Sequence, residues 1–274
     1  MKSVVVSAGL DDLRTPDIRF LNEASELGPL HVLLWSDELI QKIEGKAPKF
    51  SLTERQYFVD AMRCVSRISI TDQLPDADQI PENVMENTAI WTVRQAADSL
   101  AKQQFCAAHG LKYSVIGDEK LKGFPPLPHE RKARPTSPKK KVVVTGCYDW
   151  FHTGHVRFFE EVSDYGELYV CVGNDANLLH LKGPGHPHFP QDERRYIVGS
   201  VRFVHEAIIS TGSGWMDAEP EIIRIRPDIY AVNEDGDKPE KRAFCEKHGM
   251  EYLVLKRLPK PGLTRRSSTA LRGF

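Results

Sequence analysis

The chain has 274 residues, 41% hydrophobic and 27% charged, with 37 Lys and Arg against 38 Asp and Glu for a formal net charge of −1. This is globular composition, so a chain disordered throughout is excluded, and the balanced charge argues against a basic coat that binds nucleic acid by releasing counterions. No apolar run reaches the roughly 18 residues of a membrane helix. Asp11 and Asp12 come too early for a signal-peptide core, and the cysteines at 64, 106, 147, 171 and 245 form no CxxC and no disulfide framework. The expectation is a soluble cytoplasmic protein with neither membrane nor nucleic acid as partner.

In chain order, the first predicted element is a buried strand at Val4-Val5-Val6. Its sequence returns at Val142-Val143-Val144, 138 residues later. Between 4–37 and 142–175, 13 of 34 positions are identical, including Asp11/Asp149, Thr15/Thr153, Arg19/Arg157, Gly28/Gly166 and Asp37/Asp175. At an offset of 139 the match resumes: Glu54-Arg55 meets Glu193-Arg194, Phe105-Cys106 meets Phe244-Cys245, and His109-Gly110 meets His248-Gly249. The chain therefore reads as two copies of a unit of about 125 residues, 1–124 and 141–274. Between them, residues 125–140 carry Pro125, Pro126, Pro128, Pro135 and Pro138 and a basic run; they predict a solvated linker without helix or strand.

In the second unit, residues 141–146 predict a short β-branched strand closed by Gly146. Residues 154–165 follow with Val156, Phe158, Phe159 and Val162 spaced as one helical face, and Gly166 suits the helix end. Strands are predicted at 168–173, 207–209, 229–232 and 252–255. Helices are predicted at 194–201, 219–225 and 238–248, with a last helix starting at Ser268. Alternating strands and helices predict an α/β fold, two tandem doubly wound, Rossmann-like parallel-sheet domains with ligands at the C-terminal strand ends.

The informative segment is Gly146-Cys147-Tyr148-Asp149-Trp150-Phe151-His152-Thr153-Gly154-His155, at the first strand–helix junction. Two imidazoles three residues apart share one side of a helical first turn, whose free N–H groups favour phosphate. Gly154 allows close backbone approach, and each imidazole can donate to phosphate oxygens as charge builds. Surface histidines or a metal pair are the plainer alternatives for such a spacing.

On these residues, 141–273 resembles the cytidylyltransferase-like branch of the HxGH nucleotidyltransferases, whose members include cytidylyltransferases of small phosphorylated alcohols and heptose-phosphate adenylyltransferases. The resemblance also takes in Glu193-Arg194-Arg195, Arg202-Phe203-Val204, Asn233-Glu234-Asp235-Gly236-Asp237 and Arg265-Arg266-Ser267-Ser268-Thr269. The tandem arrangement is similar to ethanolamine-phosphate cytidylyltransferases.

The resemblance implies transfer of CMP from CTP to a small phosphorylated alcohol or sugar, with pyrophosphate released. The alternative is adenylyl transfer from ATP to a sugar-phosphate or flavin-type acceptor. It implies catalytic roles for His152, His155 and Lys182. It implies nucleotide binding by Gly146, Cys147, Tyr148, Asp149, Gly154, Arg194, Asn233, Asp235, Arg266, Ser267, Ser268 and Thr269, with Mg2+ bridging the phosphates. Arg194 is read either as a phosphate ligand or as a local cap. Arg257 stays outside this set, because a longer, proline-rich lead separates it from Arg265. His180, His186 and His188 form a His-rich loop with Gly183 and Gly185, read as a substrate cover with zinc binding as the alternative.

The first unit puts Arg14, Pro16 and Asp17 where the second has His152, Gly154 and His155. An Asp in the first turn repels phosphate, and no Arg-Ser-Ser-Thr sequence follows Phe124. This unit is expected to be a degenerate nucleotidyltransferase-like domain that packs on the second as an intramolecular pseudo-dimer, with a further homodimer of chains allowed. A non-catalytic nucleotide sensor is the competing class, against which the intact His152, Gly154 and His155 speak.

Overall fold

The structure is a computed structural model that describes residues 2–72, 78–131, 137–267 and 271. The chain divides into two compact units, Met1–Pro125 and Pro126–Phe274. Among the described residues no helix is long and apolar enough to cross a membrane.

The first unit runs β1 (Ser3–Ala8), α1 (Thr15–Ser25), β2 (Leu30–Trp35), α2 (Asp37–Glu44), α3 (Leu52–Asp60), β3 (Val65–Thr71), α4 (Glu82–Met85), β4 (Thr88–Arg94), α5 (Leu100–Ala108) and β5 (Lys112–Ile116). Its five strands are all parallel, in the order β3-β2-β1-β4-β5. The second unit runs β6 (Lys141–Gly146), α6 (Thr153–Ser163), β7 (Glu167–Val172), α7 (Asp175–Lys182), α8 (Gln191–Ser200), β8 (Val204–Ile209), α9 (Glu219–Ile225), β9 (Ile229–Asn233), α10 (Pro239–His248) and β10 (Glu251–Leu255). Its order, β10-β9-β6-β7-β8, is the same path read from the other edge.

The registers agree residue for residue. Val4 pairs with Leu30 as Val142 pairs with Leu168, and Val5 pairs with Trp91 as Val143 pairs with Tyr230. The change of offset from 138 to 139 therefore falls between β2 and α3, outside the sheet.

Parallel strands with helices on both faces must be apolar on both sides. Val142, Val143 and Val144 are wholly buried, each contributing about 1.5–3 kcal/mol. Val143 packs with Cys171, Tyr230 and Val232 against Ile222 and Ile225 of α9 and Cys245 of α10. Alternation sends Val142 and Val144 to the opposite face. Between α6 and β7 the chain turns at Gly166, where a Cβ would stand 2.2 Å from the Lys140 carbonyl oxygen, so only glycine fits.

Three sequence expectations change. Residues 175–182 form a helix, α7, that periodicity did not reveal, because its two turns carry little apolar face; its start is marked by Asn174, whose side chain accepts the N–H of Asn177 at 2.8 Å. The linker is not wholly solvated. Leu127 is 2% exposed and lies against Gly199, while Glu130 pairs with Arg195 at 2.9 Å. The expected last helix lies outside the described residues except Leu271, which is buried and donates its N–H to the Ser267 carbonyl.

Candidate active site

The turn from β6 into α6 is built around two imidazoles. His152 is the N-cap of α6, and its Nδ1 accepts the backbone N–H of Gly154 at 3.0 Å. This folds the ring back over residue 154, where a Cβ would sit 2.8 Å from Cε1 and 2.9 Å from Nδ1. Gly154 is thus required by the imidazole itself. His155, at position N3, accepts the N–H of His152 on its own Nδ1 at 3.4 Å, and the two rings stack with centroids 4.0 Å apart. Phe151 stacks on His155 at 5.3 Å and Tyr148 meets it edge-on, also at 5.3 Å.

An Nδ1 that accepts a hydrogen bond leaves the neutral ring's proton on Nε2. Both rings are held neutral. Burial, then the Arg257 and Arg266 charges, push His152 down to about 3. Burial, then His152, Arg257 and Lys182, hold His155 well below the usual imidazole range. Each ring therefore offers an Nε2–H donor at pH 7. Nε2 of His152 is buried and has no hydrogen-bond partner among the described residues.

The chain after β10 returns alongside this turn. Thr153, Gly154, Asn233, Arg257, Arg265 and Arg266 line a common cleft, and the Arg266 carbonyl lies 3.6 Å from the Cβ position of Gly154. Arg257 pairs with Asp235, and Lys260 ties the segment to α6 through Glu160 at 2.8 Å. Arg257, left outside the expected set because of its spacing from Arg265, thus lines the cleft. The extra residues 258–264 belong to the same wall, and the signal that could have found it was simply its position two residues past the last strand. Ser267 follows directly, while Ser268 and Thr269 lie outside the described residues. Lys182 closes α7, exposed, and its charge reaches His155.

Other residues expected to bind nucleotide hold the loops around this turn. Arg194 is 1% exposed and donates to the carbonyls of Phe189, Cys147 and Gly173 and to Asp175 at 2.5–2.9 Å. Its guanidinium is committed to the protein, the local role left open by the sequence. The Asp149 carboxylate accepts the N–H groups of His188 and Phe189 at 2.7 and 3.1 Å, holding the loop after α7. Tyr148 has φ +53°, and its ring lies over Gly146, where a Cβ would meet Cζ at 2.8 Å.

The first unit repeats this frame without the imidazoles. Arg55 donates to the carbonyls of Phe50 and Gly9 and to Asp37, as Arg194 does to Phe189, Cys147 and Asp175. Asp11 holds the N–H groups of Lys49 and Phe50, and Leu10 has φ +48° in the place of Tyr148. At the helix start, however, Asp17 accepts the N–H of Arg14 and pairs with Arg94 at 2.7 Å, the residue in the place of Asn233. A cleft of about 470 Å³ opens there, with Asp12, Asp17, Trp35, Lys49 and Arg94 among its lining.

Comparison with known proteins agrees with this geometry. The cytidylyltransferase-like family model matches residues 143–257. The chain is 35% identical over 120 residues to a FAD synthase of Ferroglobus placidus, covering 43% of this chain and 75% of that protein. It is 33% identical over 119 residues to a FAD synthase of Archaeoglobus profundus, covering 42% and 73%. It is 34% identical over 99 residues to the bifunctional protein HldE of Nitratiruptor sp., covering 35% of this chain and 21% of the relative. With the paired imidazoles, the parallel sheet and a match to three-quarters of a relative at 35% identity, the chain belongs to the cytidylyltransferase-like family of nucleotidyltransferases.

Proposed function

We propose that the second unit transfers a nucleoside monophosphate from a nucleoside triphosphate to a phosphomonoester. The observation that carries this is the His152–His155 pair at the first turn of α6, whose Nδ1 atoms are tied to backbone N–H groups, with Nε2 of His152 buried and without a partner among the described residues. An oxygen of the acceptor phosphate bonds to the α-phosphorus as the bond to the bridging oxygen breaks, and pyrophosphate leaves. The attacking oxygen is already anionic, so no general base is required, and catalysis is positioning plus charge stabilisation. The two Nε2–H groups stabilise charge on the α-phosphate oxygens. Arg257, Arg266 and Lys182 supply countercharge to the departing phosphates, and Asn233 at the end of β9 lies on the same cleft. The space between α6 and residues 256–266 is about 20 Å³, water-sized.

Mg2+ belongs to this reading as the ion a triphosphate carries. The nearby carboxylates are engaged, Asp235 with Arg257 and Glu161 with Arg157, and the remaining charged residues of the lining, Lys256, Lys260, Arg265 and Arg266, are cationic. This donor set fits the phosphates of a magnesium nucleotide better than a bare ion. When bound, the ion polarises phosphoryl oxygens as a Lewis acid.

ATP is the nucleotide the relatives support, since FAD joins a flavin phosphate to AMP; the acceptor class is then a flavin or sugar phosphate. CTP with a phosphorylated alcohol is the second reading, which the family's description favours. Pyrophosphate release across four nucleoside triphosphates and a panel of flavin, sugar and alcohol phosphates tests both. Activity with ATP and no acceptor preference for the alcohol phosphates is expected. A strict CTP requirement would reverse the choice of base, and no release with any pair would remove the transferase reading. The first unit is read as catalytically silent, because Asp17 and Arg94 neutralise each other where the phosphate donors would stand.

A further inference from the structure

The loop after α7 carries two histidines that the nucleotidyl-transfer reading does not use. The Asp149 carboxylate splits its work: Oδ1 takes the N–H groups of His188 and Phe189, while Oδ2 faces Nδ1 of His186 at 3.2 Å. A ring nitrogen of His188 completes a group in which one ligand atom from each residue lies within 4.8 Å of the others. The His186 and His188 rings meet edge-to-face with centroids 4.9 Å apart.

The first unit supplies an internal control. Its matching loop reads Ala47-Pro48-Lys49-Phe50 against His186-Pro187-His188-Phe189. There Asp11 makes the same two backbone contacts, to Lys49 and Phe50, with Ala47 and Lys49 in the places of the two histidines. The carboxylate's structural task is therefore complete without histidine, and the two imidazoles are an addition to a loop that folds without them.

We propose that Asp149, His186 and His188 bind a divalent transition-metal ion of the Zn2+ class, which ties the loop preceding α6 to the loop following α7. The chemistry of the donors selects the ion. Two imidazoles and a carboxylate suit Zn2+ and its first-row neighbours, whereas Mg2+ takes oxygen ligands and gives up its water reluctantly. Ligand atoms on one tetrahedral Zn2+, each about 2.0–2.1 Å from the metal, stand about 3.3 Å apart. The Asp149–His186 separation of 3.2 Å is already at that spacing, and His188, which is exposed, closes by rotating its side chain. The two N–H groups on Oδ1 orient the carboxylate as outer-shell donors do in metal sites. Three protein ligands leave a fourth position for water. Because one loop leads to His152 and the other begins beside Lys182, the ion would fix the spacing of two walls of the active site.

The test uses the full-length protein, freed of metal with a chelator and titrated with Zn2+ in excess Mg2+. Co2+ absorption reports the coordination geometry. One Zn2+ per chain is expected, with the intense visible bands of four-coordinate Co2+. Affinity should fall about tenfold or more in His188→Ala and vanish in the His186→Ala/His188→Ala double variant. No site tighter than about 100 μM, or a site that survives the double variant, overturns the proposal, since Zn2+ sites built from these ligands bind far more tightly. Should the double variant fail to fold, His188→Ala alone decides, because it removes an exposed side chain. Metal content is the readout, so the result stands whichever nucleotide the second unit uses.

Discussion

Gly154 donates its backbone N–H to Nδ1 of His152 at 3.0 Å, and the ring so captured occupies the space that any side chain on residue 154 would need. One hydrogen bond thereby fixes the tautomer, the orientation of the donor and the identity of the residue two positions on. The catalytic expectations follow from that coupling.

Replacing His155 by Ala removes one of two donors aimed at developing charge. Turnover should fall at least about a hundredfold, the cost of losing a charge-stabilising donor, with the circular dichroism spectrum unchanged. A variant with normal turnover would take His155 out of the chemistry.

Gly154→Ala should act through its neighbour. The added Cβ would meet the His152 ring at 2.8–2.9 Å, so the imidazole must swing away. The expected signature is a drop in kcat of about tenfold or more, because a misplaced donor costs rate. Nucleotide affinity should change less. Steady-state kinetics separate the two, and unchanged kcat would show that the ring has another resting place.

Both histidines titrate below their unfolded value of about 6.5. Between that pH and about 3, the unfolded chain binds protons that the folded chain refuses at His152. The unfolded state is thus favoured as pH falls, and the stability present above pH 6.5 is progressively lost below it. Thermal melts from pH 7.5 to 5 should show a decline that is shallower in His152→Asn, whose amide oxygen can still accept the Gly154 N–H. Equal slopes in the two proteins would contradict the depressed value.

Arg194→Ala and Arg55→Ala strip equivalent buried clamps. Each leaves two or more carbonyls without their donor, at a cost of about 3 kcal/mol to the unit concerned. Urea unfolding should show the loss in both. A neutral Arg194→Ala would mean that water replaces the guanidinium at no cost.

Asp17→Ala should leave turnover within about twofold. The carboxylate caps α1 and pairs with Arg94, and both interactions are internal to the first unit. A large loss of activity in a folded variant would show that the first unit takes part in the reaction.

Much of the architecture is legible in the sequence because it rests on short-range rules. Three consecutive valines bounded by glycine, followed by apolar residues at helical spacing, give β6 and α6 almost at their ends. The paired imidazoles were equally visible, since their chemistry depends on a three-residue spacing. What was hidden depends on long-range placement. Arg194 reads equally as a phosphate ligand or a local cap, because an arginine at a helix start near a nucleotide site has both options; only the positions of Cys147, Gly173 and Asp175 show that its donors are spent. Arg257 was hidden for the opposite reason, since a loop brings it to the cleft regardless of its spacing from Arg265. Helix α7 was hidden because its cap, Asn174, is a single polar residue with no apolar stripe behind it.

The two arginine clamps make the chain its own transplant experiment. Arg55 and Arg194 hold their surroundings by the same bonds, and Leu10 and Tyr148 share the same left-handed turn. Installing Arg14→His, Pro16→Gly and Asp17→His would therefore graft a donor pair onto a scaffold already shaped to receive it. The second unit of the same molecule would serve as the calibrated reference for how much of the activity is geometry and how much is imidazole.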